Sequence, residues 1–253
     1  MKSRHPWWLV GLAGGFAVGG FLAYSFASPR SQVVGRTVWR GSRDRRRVAL
    51  TFDNGPSPKG TEAILDVLRQ EGVQATFFLL GRQAEACPDL ARAIAAEGHL
   101  IGNHGYSHRN LLWLGPGGTA RQLDRGYRAI EAACGVGPTL FRPAFGTRNL
   151  FLPSLLAERG WQMVHWSRST GDWRRHGARR IDGWVNRVQG GDILLWHDGG
   201  PRGVAYPRTV TIAALSQVIP FLREKGFEFV SVAEFLPGAS GVRGELRPEA
   251  TTS

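Results

Sequence analysis

One alternation constrains this chain more than any other feature. Short apolar runs at 48–53, 75–80, 100–104, 140–145, 161–167, 193–197 and 227–232 are separated by longer stretches of helical periodicity. Those stretches lie at 60–71, 89–97, 119–133, 150–159, 179–189 and 211–225, and Gly72, Gly98, Gly135, Gly160, Gly190 and Gly226 stand just past them. Glycine there is the expected helix stop, because it takes up the left-handed conformation without a Cβ penalty. Strands that alternate with helices run parallel, since each helix carries the chain back to the start of the next strand. About seven repeats favour a closed or nearly closed barrel over an open doubly wound sheet.

Composition allows such a core to be buried. Apolar residues make up 42% of the 253 and charged residues 21%, which excludes a disordered chain. The net charge of +12 suits polyanionic partners. Only three of the 32 basic residues are Lys, however, a bias that reflects base composition of the gene. The Arg residues are dispersed and no nucleic-acid-binding motif is visible, so no nucleic acid is expected as partner. Two cysteines, Cys87 and Cys134, make neither a disulfide framework nor a Cys-based zinc site. They fall near opposite ends of successive parallel helices, so no bridge is expected between them.

Lys2 and Arg4 precede an uncharged run over 7–27, about long enough as a helix to cross a hydrocarbon core of roughly 30 Å. The reading is one N-terminal membrane helix within 1–30. It is retained as an anchor, or else cleaved as a signal near Ser28 after the small pair Ser25 and Ala27. Either outcome places the rest outside the cytoplasm. The Arg cluster from Arg36 to Arg47 opposes this, because excess Arg normally stays cytoplasmic. Residues 31–46 read as an Arg-rich tether, 47–237 as the globular domain and 238–253 as a disordered tail. Gly11, Gly15 and Gly19 make a helical stripe that suggests weak self-association of the anchor.

Polar clusters recur where the apolar runs end. Thr51-Phe52-Asp53-Asn54-Gly55-Pro56 closes the first and Asn103-His104-Gly105-Tyr106-Ser107-His108 the third. Phe141-Arg142-Pro143-Ala144-Phe145-Gly146 falls at the fourth, Ser169-Thr170-Gly171-Asp172-Trp173 follows the fifth, and Leu195-Trp196-His197-Asp198 closes the sixth. In a β/α barrel the carboxyl ends of the strands carry the active site, whereas purely structural polar residues scatter over both ends. Two His separated by three residues either converge on a metal ion or serve as ordinary hydrogen-bonding histidines; the spacing alone leaves both open. His99, His165 and His176 have no catalytic partner in these clusters and read as structural or exposed.

These five motifs, together with Gly98-His99-Leu100-Ile101-Gly102-Asn103-His104, resemble in order and spacing the polysaccharide deacetylases of carbohydrate esterase family four, the NodB homology domain. The resemblance covers roughly 48–236. It implies a distorted, incomplete (β/α) barrel and removal of acetyl groups from N-acetylated or O-acetylated sugars of a cell-wall or extracellular polysaccharide. It also implies a divalent metal, zinc in the first instance. His104 and His108 match the family's metal histidines. Asp53 matches its base, which takes a proton from water, and Arg142 would orient Asp53 through two parallel hydrogen bonds. His197 matches the acid that protonates the leaving group, with Asp172 orienting it. Pro143, Phe145, Gly146, Trp173 and Leu195 match groove positions, although Trp173 and Leu195 suit plain core packing nearly as well.

Two positions depart from the family. Asn54 stands where most members place a metal-binding Asp, so the third ligand is a neutral amide oxygen and metal affinity should fall. Some branches of the family, including muramic-acid deacetylases of peptidoglycan, resemble this chain in carrying Asn there. Ser169 stands where the fourth motif often begins with Asp. The expected function is therefore a metal-dependent sugar deacetylase. The alternatives are a catalytically silent carbohydrate-binding relative weakened at Asn54, and a basic membrane protein that binds anionic polymer.

Overall fold

Each apolar run becomes a strand, and every strand pairing is parallel. The computed structural model describes residues 7–172, 181–200 and 208–238. In chain order the elements are α1 (Trp7–Ala27), β1 (Arg47–Asp53), α2 (Thr61–Gln70), β2 (Thr76–Leu79), α3 (Gly81–Ala86), α4 (Pro88–Ala96), β3 (Leu100–Asn103) and α5 (Pro116–Cys134). They continue with β4 (Leu140–Phe141), α6 (Leu152–Glu158), β5 (Gln162–Met163), β6 (Arg168–Ser169), α7 (Ile181–Val185), β7 (Ile193–His197), α8 (Thr209–Glu224) and β8 (Glu228–Phe229). The sheet order is β5-β4-β3-β2-β1-β7-β6, with β8 paired to the first two residues of β1. This is the expected distorted, incomplete barrel: the sheet curls, but its end strands do not pair with one another. The run expected at 161–167 gives only the short β5, β6 forms just past its end, and α3 is an additional helix.

Alternation along the strands sorts the side chains into two layers. On β1, Val48, Leu50 and Phe52 pack with Phe77, Leu194, Trp196 and the inner faces of α2 and α8 in one cluster. Phe52 and Phe77 stack with ring centroids 4.9 Å apart. Full burial of each such side chain contributes about 1.5–3 kcal/mol. The intervening Ala49 and Ile193 join Phe78 and Val164 in a second cluster inside the barrel. Thr51 and Asp53 therefore face the interior, as do Leu195 and His197 on β7. The period of two thus carries Asp53 and His197 to the inner rim at the strands' carboxyl ends.

Three sequence expectations need correction. Residues 31–46 are not a free tether. Val34, Thr37 and Val38 are buried, Val38 bridges in parallel to Val164, and Arg40 bridges antiparallel to Asp192. The segment thereby straps the gap that the unclosed sheet leaves beyond β5. The helix expected at the N-terminus is present as α1, yet among the described residues no helix is long and apolar enough to cross a membrane. Finally, Gly72, Gly98, Gly135, Gly160 and Gly226 take the left-handed conformation expected of helix stops, but Gly191 does so in place of Gly190. A Cβ on Gly190 would instead collide with the Arg45 carbonyl. Cys87 and Cys134 are free thiols, as expected. The tail from 239 onward and the glycine stripe's first residues fall outside the described side chains.

Candidate active site

Asp53 and His197 are direct partners in the β1–β7 register, so the two ends of one ladder deliver a carboxylate and an imidazole to the same rim. Asp53 is almost wholly buried. One of its oxygens accepts from an Arg142 amino group at 2.7 Å, and the other lies 3.7 Å from His104 Nε2. Arg142 reaches across from the end of β4, fully buried. The same Nη1 donates to Thr51 Oγ1 at 2.8 Å, and Nη2 donates to the His165 carbonyl at 2.8 Å. The expected two parallel bonds to Asp53 are therefore replaced by one bond to the carboxylate and two that anchor the guanidinium to the barrel wall. Phe78 lies under the guanidinium, 4.0 Å from its centre, and burial lowers the pKa of Arg142 against the opposing pull of Asp53.

His197 is held from the side. Its Nδ1 lies 2.8 Å from one Asp172 oxygen, and its backbone N–H donates to the other at 2.9 Å. Thr211, at the start of α8, donates its hydroxyl to that second oxygen at 2.8 Å. Burial pushes the Asp172 carboxyl upward, but the His197 charge and hydrogen bond, the Thr211 hydroxyl and the Arg208 charge outweigh it and leave its pKa lowered. Asp172 is thus held as a carboxylate, which fixes Nδ1 as a protonated nitrogen of the ring.

The two histidines of the third motif converge. Their ring centroids lie 5.3 Å apart. His104 sits just past β3, where its backbone N–H donates to the Leu79 carbonyl. Its Nδ1 lies 2.7 Å from the Arg142 carbonyl; donation to that oxygen leaves the Nε2 lone pair directed at the Asp53 side, the usual arrangement behind a metal ligand. Burial lowers the pKa of His104. Burial and then the neighbouring His104 lower His108 to about 3, so both rings are neutral and able to donate lone pairs. The Asn54 carbonyl oxygen is buried and finds no hydrogen-bond partner among the described residues. Such an atom is costly unless something else satisfies it. A divalent cation held by His104, His108 and the Asn54 oxygen meets that requirement, so the residues fit the metal the family implies. Among the described residues there is no cluster of three or more His, Cys, Asp or Glu that would hold a metal; the third donor that the family resemblance implies is the Asn54 amide.

The groove residues divide. Phe145 is 59% exposed and sets its ring edge-on to His108 at 4.5 Å. Pro143, Gly146 and Leu195 are buried, so they form the floor and not an open surface. Gly146 has a positive φ, and a Cβ there would meet Trp166 at 2.7 Å. Trp173 lies outside the described residues, as does His176. Ser169, on β6, has a buried hydroxyl without a partner among the described residues. His165 and His99 are structural: His165 joins Thr37 Oγ1 at 2.7 Å and the Gly146 carbonyl at 3.2 Å, and His99 accepts from the Ala75 N–H.

Three supporting residues escape sequence reasoning. Thr51 holds Arg142, and Thr211 holds Asp172. Asp198 is fully buried behind the Asn54–Gly55 turn; Thr61 donates to it at 2.7 Å, and a Cβ on Gly55 would collide with its carboxylate. Its place beside His197 is the one signal the sequence offers for it.

The polysaccharide deacetylase family model matches residues 40–164. A peptidoglycan-N-acetylglucosamine deacetylase of Bacillus cereus is 35% identical over 205 residues, covering 80% of this chain and 93% of that protein. A chitooligosaccharide deacetylase of Sinorhizobium fredii is 38% identical over 199 residues, covering 76% and 93%. Among solved structures, a pseudoenzyme of carbohydrate esterase family four from Bacillus anthracis superposes with a TM-score of 0.69 at 26% identity, covering 79% of this chain and 68% of that one. With relatives of 35% and 38% identity matched over three quarters or more of this chain and 93% of their own length, the chain belongs to the polysaccharide deacetylase family.

Proposed function

We propose that this chain hydrolyses acetyl groups from N-acetylated, or O-acetylated, sugars of a cell-wall or extracellular polysaccharide. The observation that carries this reading is the pairing of Asp53 with His197 across one parallel ladder, each carboxylate or ring fixed by its own buried partner. His104, His108 and Asn54 would hold the divalent ion, with zinc matching the two-imidazole donor set. Bound there, the ion supplies Lewis-acid polarisation of the acetyl carbonyl and of water. Asp53 accepts the proton of the attacking water while Arg142 fixes its orientation. His197 Nε2 then delivers a proton to the departing amine or alcohol, and Asp172 stabilises the imidazolium form that makes this possible. Water adds to the acetyl carbon, the bond to the sugar nitrogen or oxygen breaks, and acetate leaves. Phe145 would present its exposed ring to a sugar face beside His108.

Asn54 favours a second reading, a silent carbohydrate-binding relative, because a neutral third donor holds a cation less firmly than a carboxylate. A pseudoenzyme also stands among the structural relatives. Mass spectrometry of acetate loss from chitooligosaccharides, peptidoglycan fragments and acetylxylan, run with measurement of bound metal, separates the two. Loss of acetyl mass from any one of them supports the hydrolase. Protein that binds glycan without turnover and retains little metal supports the silent relative. On the hydrolase reading the chain works outside the cytoplasm, anchored through its N-terminal segment or released by cleavage near Ser28, where these polymers lie.

A further inference from the structure

Large apolar side chains stand exposed on one connected surface. Among the described residues, all of them except Val136 lie on three segments: the second half of α1 with its exit to residue 33, the turn at Leu112 and Trp113, and the loop from Phe145 to Phe151. Trp113 is 79% exposed and Leu150 is 70% exposed, in a fold that otherwise buries such groups.

These segments are stapled together. Arg148, fully buried, donates in three directions: its backbone N–H to the Phe26 carbonyl at 3.0 Å, and its guanidinium to the carbonyls of Ser28 and Ser31. The adjacent Asn149 donates its amide to the carbonyls of Leu111 and Leu114 at 2.8 and 2.9 Å. Thr147 donates to the Asn110 side chain at 2.6 Å. Three consecutive residues of one loop thus hold the exit of α1 on one side and the Trp113 turn on the other. The apolar surface is part of the built domain.

Charge on these segments has one sign. No Asp or Glu occurs in residues 1–43, 98–123 or 132–157, while Arg30, Arg36 and Arg109 stand exposed on them. Exposed apolar groups on segments whose own charged residues are all cations match a bilayer that carries anionic headgroups. A glycan partner is a poorer match, because it would engage the rings of Phe21, Tyr24, Trp113, Phe145 and Phe151 but leave the aliphatic Val18, Leu22, Val33, Leu112 and Leu150 in water. A second copy is poorer still, because a self-complementary contact would set Arg against Arg.

We infer that this face docks on an anionic lipid surface, through the apolar side chains of the α1 exit, Trp113 and the 145–151 loop. Docking needs no helix that crosses the bilayer. Phe145 belongs both to this face and to the mouth beside His108, so the docked domain opens its candidate active site at the membrane. The matching substrate is an acetylated glycan held at the bilayer surface; that last step rests on the deacetylase reading, while the docking does not.

The test uses the full chain with Cys87→Ser and Cys134→Ser, and single nitroxide labels placed through Trp113→Cys, Leu150→Cys and, as control, Val136→Cys. Collision with a water-soluble nickel complex and with oxygen is read by electron paramagnetic resonance, with and without vesicles of phosphatidylcholine and phosphatidylglycerol. The expected result is loss of nickel collision and gain of oxygen collision at 113 and 150 on adding vesicles, with 136 unchanged. Combined Arg30→Glu, Arg36→Glu and Arg109→Glu should abolish the change at 113 and 150. Labels at 113 and 150 that stay as nickel-accessible as 136 would overturn the inference. So would shielding that arises only with chitooligosaccharide, or only as protein concentration rises without lipid. Acetate release from soluble chitooligosaccharide, measured on the same samples, reports failure of the deacetylase reading separately.

Discussion

Asp53 and His197 face each other as register partners on β1 and β7, yet each is tied to a different wall of the barrel. Arg142 holds Asp53 from β4, on the β3 side of the sheet, and Asp172 holds His197 from the loop after β6. The carboxylate and the imidazole are thereby held by separate partners, as the proposed roles of base and acid require.

Removal of either group should silence turnover without unfolding the domain. Asp53→Asn and His197→Ala are each expected to lower kcat by about 10²–10⁴-fold, with circular dichroism spectra like the parent. Near-parental rates in a folded variant would remove the assigned role.

Thr211→Val tests the support of His197. It deletes one hydrogen bond to a carboxylate whose pKa is lowered in the fold. A carboxyl with a depressed native pKa lends stability above its unfolded pKa and loses it as pH falls. The variant should therefore lose about 1–3 kcal/mol at pH 7 and less in acid. Urea midpoints at several pH values check this, and kcat should fall more than KM changes.

Asp198 predicts the opposite slope. Burial, the first cause, pushes its carboxyl up to about 6 against the Thr61 hydroxyl and the Arg208 charge. The native state then holds a proton that the unfolded chain has released, so stability falls as pH rises from about 4 to about 6 and levels off above. Asp198→Asn should flatten that slope. Relative to the parent it should gain on the order of 1–3 kcal/mol between acid and neutral pH, at 1.36 kcal/mol per unit. Urea unfolding of both proteins between pH 4 and 8 measures the difference.

Much of this arrangement is legible in the amino-acid sequence itself. Asp53, His104 and His197 end apolar runs while Arg142 and Asp172 stand at or shortly after strand ends, and a parallel sheet brings such ends to one rim, so their assembly follows largely from position. The strap at residues 37–40 is not legible, because its fixing contacts are backbone bridges to Val164 and Asp192, more than a hundred residues away. Arg148 is hidden for the same reason: its partners are carbonyls, which any sequence supplies. The double hydrogen bond expected of Arg142 fails because Thr51 and the His165 carbonyl compete for the guanidinium. Nothing in the motif records that competition.

Asn54→Asp addresses the third donor. An anionic oxygen in place of the unpartnered amide oxygen should bind zinc more tightly and resist chelator stripping. Zinc titration of chelator-treated protein is the check, and equal or weaker binding would count against Asn54 as a ligand.

The proposed chemistry turns on a proton-transfer pair acting beside a metal held by His104, His108 and Asn54. The decisive experiment is acetate release from a chitooligosaccharide or peptidoglycan fragment by chelator-stripped protein during stepwise return of zinc, with Asp53→Asn in parallel. Parental activity should rise with bound zinc to about one ion per chain, while Asp53→Asn binds the ion and stays silent. Activity that persists in stripped protein, or that Asp53→Asn shares once loaded, would refute that chemistry.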